Sequence, residues 1–118
     1  MRVKFRISLY LEGKKLKKTD LKNRKDPLSI GMRYITEFKY LEATKWLLLA
    51  PDSYEKYALL GLINLALGQV EQAREFFSAL EDAERETPLK VVIEIPEKDK
   101  RIEVQNISDI AGVLGFTP

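Results

Sequence analysis

The chain has 118 residues, 20 Lys and Arg against 18 Asp and Glu, 45% hydrophobic residues, and neither cysteine nor histidine. That composition supports one globular core and excludes disulfides, thiolate nucleophiles, imidazole bases and the usual zinc sites. No run of eighteen apolar residues marks a membrane helix, and charge interleaves with apolar residues from Arg2 to Arg6 where a signal peptide needs an unbroken apolar stretch. A cytoplasmic protein is expected, with no membrane partner. Lys, Arg and Glu are abundant while Asn and Gln are scarce, a balance found in heat-adapted proteins, so a thermostable fold is expected.

Val3, Phe5, Ile7, Leu9 and Leu11 alternate with Lys4, Arg6, Ser8 and Tyr10, the period-two pattern of a half-buried strand. Glu12 to Lys15 turns the chain, and Leu16 to Leu21 returns as a short second strand or an irregular basic segment. Asp26-Pro27 opens a helix: the carboxylate caps free N–H groups, and proline suits the first helical position. Leu28, Ile30, Met32, Tyr34 and Ile35 continue it. A second helix spans Tyr40 to Ala50, with Ala43, Trp46, Leu47 and Ala50 on one face, and Pro51 stops it.

Asp52 and Glu55 have capping-box spacing before a third helix, which runs to about Leu67, with Gly68 as its break. A fourth runs from Glu71 to about Ala83 through Ala73, Phe76, Phe77 and Leu80. Glu81, Asp82, Glu84 and Glu86 crowd its end, the unfavourable sign for the helix dipole. After Thr87-Pro88, Val91 to Ile95 and Arg101 to Val104 form a β-hairpin around a polar loop. Ser108 then caps a short last helix through Ile110, Val113 and Leu114.

The predicted fold class is α+β in a single domain. Residues 1–25 form a basic β segment, 26–86 a central four-helix core, and 88–118 a β-hairpin with a short helix. Whether the two β segments share one sheet stays open. Charge divides along the chain: residues 1–26 carry ten bases against three acids, net +7, and the rest carries net −5.

An offset of thirty residues places Ile30-Gly31 over Leu60-Gly61, Glu42-Ala43 over Gln72-Ala73, Tyr40 over Val70 and Leu47 over Phe77. Through these positions the helical part resembles the tetratricopeptide repeat family. That family places Leu-Gly and an aromatic in its first helix, glycine in the turn, and alanine followed by an aromatic in its second. The second unit reads Tyr57, Leu60-Gly61, Gly68, Ala73 and Phe77; the first reads Ile30-Gly31, Tyr34, Ala43 and Leu47. Asn64 replaces an expected aromatic, Phe38 replaces the turn glycine, and the period is thirty rather than about thirty-four.

The resemblance implies a non-enzymatic protein-interaction or scaffold module. Mapped by position, its groove contains Leu28, Met32 and Ile35 from the first unit and Ala58, Leu62 and Leu65 from the second. An apolar groove suits an apolar peptide or amphipathic helix, or a second copy of the chain, unless the β segments fill it. The alternative is nucleic-acid binding through Lys14, Lys15, Lys17, Lys18, Lys22, Arg24 and Lys25, which lack the interleaved aromatics that stack bases. Glu71, Glu75, Glu94 and Glu103 have the spacing of solvated faces, and Gly13-Lys14-Lys15 lacks the rest of a P-loop. No enzymatic activity, cofactor or metal is expected.

Overall fold

A computed structural model describes residues 5–80 and 89–104. Val3, the acidic run at Glu81, Asp82, Glu84 and Glu86, and the helix expected after Ser108 lie outside the described residues. In chain order the elements are β1 (Arg6–Leu11), β2 (Lys14–Lys15), α1 (Lys18–Leu21), α2 (Pro27–Thr36), α3 (Tyr40–Leu49), α4 (Tyr54–Ala66), α5 (Val70–Ser78), β3 (Leu89–Ile95), a 3-10 turn (Pro96–Lys98) and β4 (Lys100–Val104). The architecture is α+β. All four strands join one antiparallel sheet in the order β2-β1-β3-β4, so the two β segments do share a sheet.

Register explains the core face of that sheet. Ile7 stands opposite Ile93, Leu9 opposite Val91, and Leu11 opposite Leu89, while Val91 and Ile93 meet Val104 and Ile102 from β4. Ile7, Leu9, Val91 and Ile93 are fully buried in one continuous cluster with Ile35, Leu47, Leu59, Leu62 and Ile63 of the helices. β1 and β2 are joined by a two-residue turn with positive φ at Glu12 and Gly13.

Three boundaries differ from the sequence reading. The return strand lies at Lys14–Lys15, within the expected turn, and Leu16–Leu21 forms neither a strand nor an irregular segment throughout: Lys17-Lys18-Thr19-Asp20 has no apolar alternation, and Asp20 accepts the Lys17 N–H at 2.9 Å, starting α1. The cap of α4 is Ser53, whose hydroxyl accepts the Lys56 N–H at 3.1 Å; Asp52 turns outward to the Tyr57 hydroxyl. α5 ends at Ser78 rather than near Ala83. Ala79 and Leu80 donate to Phe76 and Phe77, and the Ser78 hydroxyl bonds to the Glu75 carbonyl, which tightens the last turn. At α2, Asp26 caps as expected, accepting the Ser29 N–H at 3.0 Å, and that bond holds its carboxyl below the usual carboxylate range.

The thirty-residue offset returns in the backbone. Lys39 N–H reaches the Tyr34 carbonyl at 2.9 Å, and Gln69 N–H reaches the Asn64 carbonyl at 2.8 Å. These two residues have φ, ψ of −97°, 73° and −92°, 74°. Their predecessors, Phe38 and Gly68, have φ of 60° and 81°. The turn between α2 and α3 and the turn between α4 and α5 thus share one backbone geometry. Each helix pair packs through a glycine: a Cβ on Gly31 would meet Leu47 at 2.8 Å, and one on Gly61 would overlap the edge of the Phe77 ring. Ala43 and Ala73 are fully buried.

A hydrogen bond ties α3 to the sheet. The Ile7 N–H, on the side of β1 that β2 is too short to cover, donates to the Tyr40 hydroxyl at 2.9 Å. Burial raises the Tyr40 phenol above its ordinary value of 10.0, while the Ile7 N–H and Arg6 oppose the shift.

Two outcomes follow. Gly61→Ala overpacks the α4–α5 contact and costs about 1–3 kcal/mol; Phe77→Leu, which removes the ring, recovers part of that loss when combined with it, as thermal melts of the double-mutant cycle will show. Tyr40→Phe leaves a buried N–H unpaired, costing about 1–3 kcal/mol. Because the folded phenol ionises above its unfolded value, the Tyr40 contribution is complete below pH 10 and is lost as pH rises towards the folded value. Denaturant titrations above pH 10 will therefore show a shallower alkaline loss of stability in Tyr40→Phe than in the wild type.

Candidate functional site

α3 is apolar on two sides. Tyr40, Ala43, Leu47 and Ala50 form the inward side and are buried. At 100° per residue, Leu41 and Leu48 fall about 20° apart on the opposite side, with Lys45 and then Leu49 beside them. Leu41 is 47% exposed, Leu48 52%, Leu49 68%, and Phe38, in the preceding turn, 49%. Single exposed leucines are ordinary, but four large apolar residues grouped on one helix and its entry are the kind of patch that marks an interaction surface.

The second helix pair supplies the comparison. Thirty residues on, Phe38, Leu41, Leu48 and Leu49 become Gly68, Glu71, Ser78 and Ala79. The fold asks of the outer face of α5 only that it be soluble, and the equivalent face of α3 is apolar. The fold does not require apolar residues there.

Phe38 makes the point at one residue. The turn places it at φ 60°, a region in which a bulky side chain is strained and which glycine fills in the second pair. Its ring stands edge-on to Tyr40, with centroids 6.5 Å apart, and the Arg6 guanidinium lies over it at 5.4 Å. A strained residue held partly in solvent is grounds for a functional reading. At the other end of α3, the buried Lys56 ammonium donates to the carbonyls of Ala50 at 2.7 Å and Leu48 at 3.4 Å and pairs with Asp52 at 3.5 Å. Those contacts satisfy the Leu48 and Ala50 carbonyls at the C-terminal end of the helix. The Tyr57 hydroxyl and Lys56 hold the Asp52 carboxyl below its usual range, and Asp52 in turn raises the Tyr57 phenol.

Of the six residues mapped to a groove, Ile35, Ala58 and Leu62 are fully buried in the core, and Leu28, Met32 and Leu65 are half-buried against it. The seven basic residues all lie exposed along the segment from β2 to the start of α2. Lys14 pairs with Asp20 at 3.7 Å and Lys18 with Glu37 at 3.5 Å. Among the described residues, no carboxylate lies within ion-pair distance of Lys15, Lys17, Lys22, Arg24 or Lys25.

Glu71, Glu75, Glu94 and Glu103 are exposed; Glu71 lies near Arg74 and Glu103 near Arg101. No group of three or more carboxylates among the described residues is placed to hold a metal ion. A hollow of about 180 Å³ on the sheet, lined by Tyr10, Lys90, Val92, Arg101 and Glu103 among others, is well below the roughly 300 Å³ at which small-molecule sites begin. No helix among the described residues is long and apolar enough to cross a membrane.

The exposed α3 residues are not among those the sequence singles out, because Ala43, Trp46, Leu47 and Ala50 mark the opposite, packing face of the same helix. The signal was present: Leu41 and Leu48 share a face that excludes Ala43 and Leu47. Comparison with protein-family models, curated proteins and solved structures finds no match to the chain.

Phe38→Gly separates fold from surface. It relieves backbone strain of about 1–2 kcal/mol and gives up ring contacts of similar size, so the melting free energy will stay within about 1 kcal/mol of wild type. A loss well beyond that in a chemical-denaturation series would make Phe38 a structural residue.

Proposed function

We propose that the chain is a non-enzymatic protein-interaction module, and that it binds its partner through the outer face of α3. The observation that carries this reading is the contrast between Leu41, Leu48 and Leu49 and their counterparts Glu71, Ser78 and Ala79. In this reading the two helix pairs are tetratricopeptide-like units in which glycine and alanine allow close approach. Of the six residues at the positions where that family builds its groove, Ile35, Ala58 and Leu62 belong to the core and Leu28, Met32 and Leu65 are half-buried. Recognition therefore moves to the face of the helix pair that remains apolar and open.

A photo-crosslinking side chain at position 48, with the same group at position 78 as control, tests this in extract from the source cells. A discrete protein adduct at position 48 that is absent at position 78 supports the reading. Equal labelling at both positions, or none at either, contradicts it.

A second reading rests on Lys15, Lys17, Lys22, Arg24 and Lys25, which have no ion-pair partner among the described residues. They would bind polyanions through counterion release, with an affinity that falls steeply with salt. Lys15→Glu with Lys17→Glu and Lys22→Glu will abolish RNA or DNA binding if this reading holds and leave the position-48 adduct unchanged.

A further inference from the structure

The α3 face carries information about the charge of what covers it. Within α3, Leu41, Lys45 and Leu48 follow one another at intervals of four and three, the spacing of a helix seam that receives another helix, and Phe38 stands in the turn that leads into it. α3 has ten residues, about 15 Å, so the seam accommodates roughly three turns of a partner. Lys45 stands inside this seam, exposed, with no carboxylate within ion-pair distance among the described residues. Arg6 is fixed over the Phe38 ring at the N-terminal end, and Lys39 is exposed at the helix cap. The positive end of the helix dipole adds to them. Against these cations α3 offers one exposed acid, Glu42, at the far margin of the face; Asp52, beyond its end, is already engaged by Lys56 and Tyr57.

We infer that the occupant of the α3 face is an amphipathic helix with an apolar seam flanked by Asp or Glu. This rests on the protein-interaction reading above and adds the chemistry of the partner. A second copy of the chain is the wrong partner. In an antiparallel pairing that sets Leu41 on the other copy's Leu48, the two Lys45 ammonium groups converge near the axis, and in a parallel pairing they face each other directly. Lysine inside an apolar seam disfavours the symmetric pair and selects a partner that brings an acid to it. An acidic helix satisfies Lys45 at the centre, meets Arg6 and the helix N-terminus at one end, and covers Leu41, Leu48 and Leu49.

Two labelled peptides of about eighteen residues, long enough to be helical alone, test the inference by fluorescence anisotropy. They share a leucine seam and differ only in flanks, glutamate in one and lysine in the other. The wild-type chain will bind the glutamate peptide about tenfold more tightly or better, with a preference that shrinks as salt is raised. Lys45→Glu, a change at an exposed position, will narrow or reverse the preference, and Leu48→Glu will abolish binding of both. Circular dichroism melts establish that both variants fold.

Equal affinity for the two peptides, a preference for the lysine peptide, or binding of neither overturns the inference. So does Leu48-dependent binding to vesicles of phosphatidylserine and phosphatidylcholine with no binding of the acidic peptide. If the position-48 adduct persists while the peptides fail, the partner chemistry is wrong and the α3 surface stands. If the adduct fails as well, the surface itself is wrong.

Discussion

A helix that is apolar on every side must be enclosed, and α4 is such a helix. Ala58 through Asn64 are buried without interruption, as is Ala66. No single neighbour can cover it, so α3 and α5 pack beside it and the sheet contributes Ile7, Leu9, Val91 and Ile93 to the same cluster. The polar groups this enclosure traps are satisfied locally. Asn64 donates to the Leu60 carbonyl at 2.7 Å, and Lys56 spends its ammonium on the end of α3. Among the described residues, no buried side-chain nitrogen or oxygen lacks a partner.

Enclosing α4 also decides which surfaces remain for recognition. Ile35 of α2 and Ala58 and Leu62 of α4 go into the core, while Leu28, Met32 and Leu65 stay half-buried against it. The second helix of each pair keeps its outer face. α5 spends that face on Glu71, Gln72, Arg74 and Glu75, while α3 presents leucines and a strained phenylalanine.

Much of this architecture was legible residue by residue. Asp26-Pro27, Pro51 and Gly68 each act on the backbone within a turn of themselves, so helix limits followed from local chemistry. The hairpin of β3 and β4 followed from alternation. What local chemistry does not carry is pairing across the chain. That β1 sits between β2 and β3 depends on Ile7–Ile93 and Leu9–Val91 contacts more than eighty residues apart in the sequence. The Tyr40–Ile7 bond is equally invisible to spacing. The capping residue of α4 was misassigned by one position because Asp52 and Ser53 are both good caps and only geometry separates them. For the candidate site, the repeat offset pointed to residues of α2 and α4, of which Ile35, Ala58 and Leu62 are buried in the core and Leu28, Met32 and Leu65 half-buried. The thirty-residue comparison that aligned the small residues also contained the contrast of Leu41 and Leu48 with Glu71 and Ser78.

The central claim is that the outer face of α3, and no other surface of the helix pairs, receives the partner. Methyl NMR of leucine-labelled protein titrated with the glutamate-flanked peptide measures this directly. The account predicts shifts at Leu41, Leu48 and Leu49, with the fully buried Leu59, Leu60 and Leu62 unmoved. Shifts confined to Leu28 and Leu65, with Leu41 and Leu48 silent, would place binding on the concave side and contradict the account.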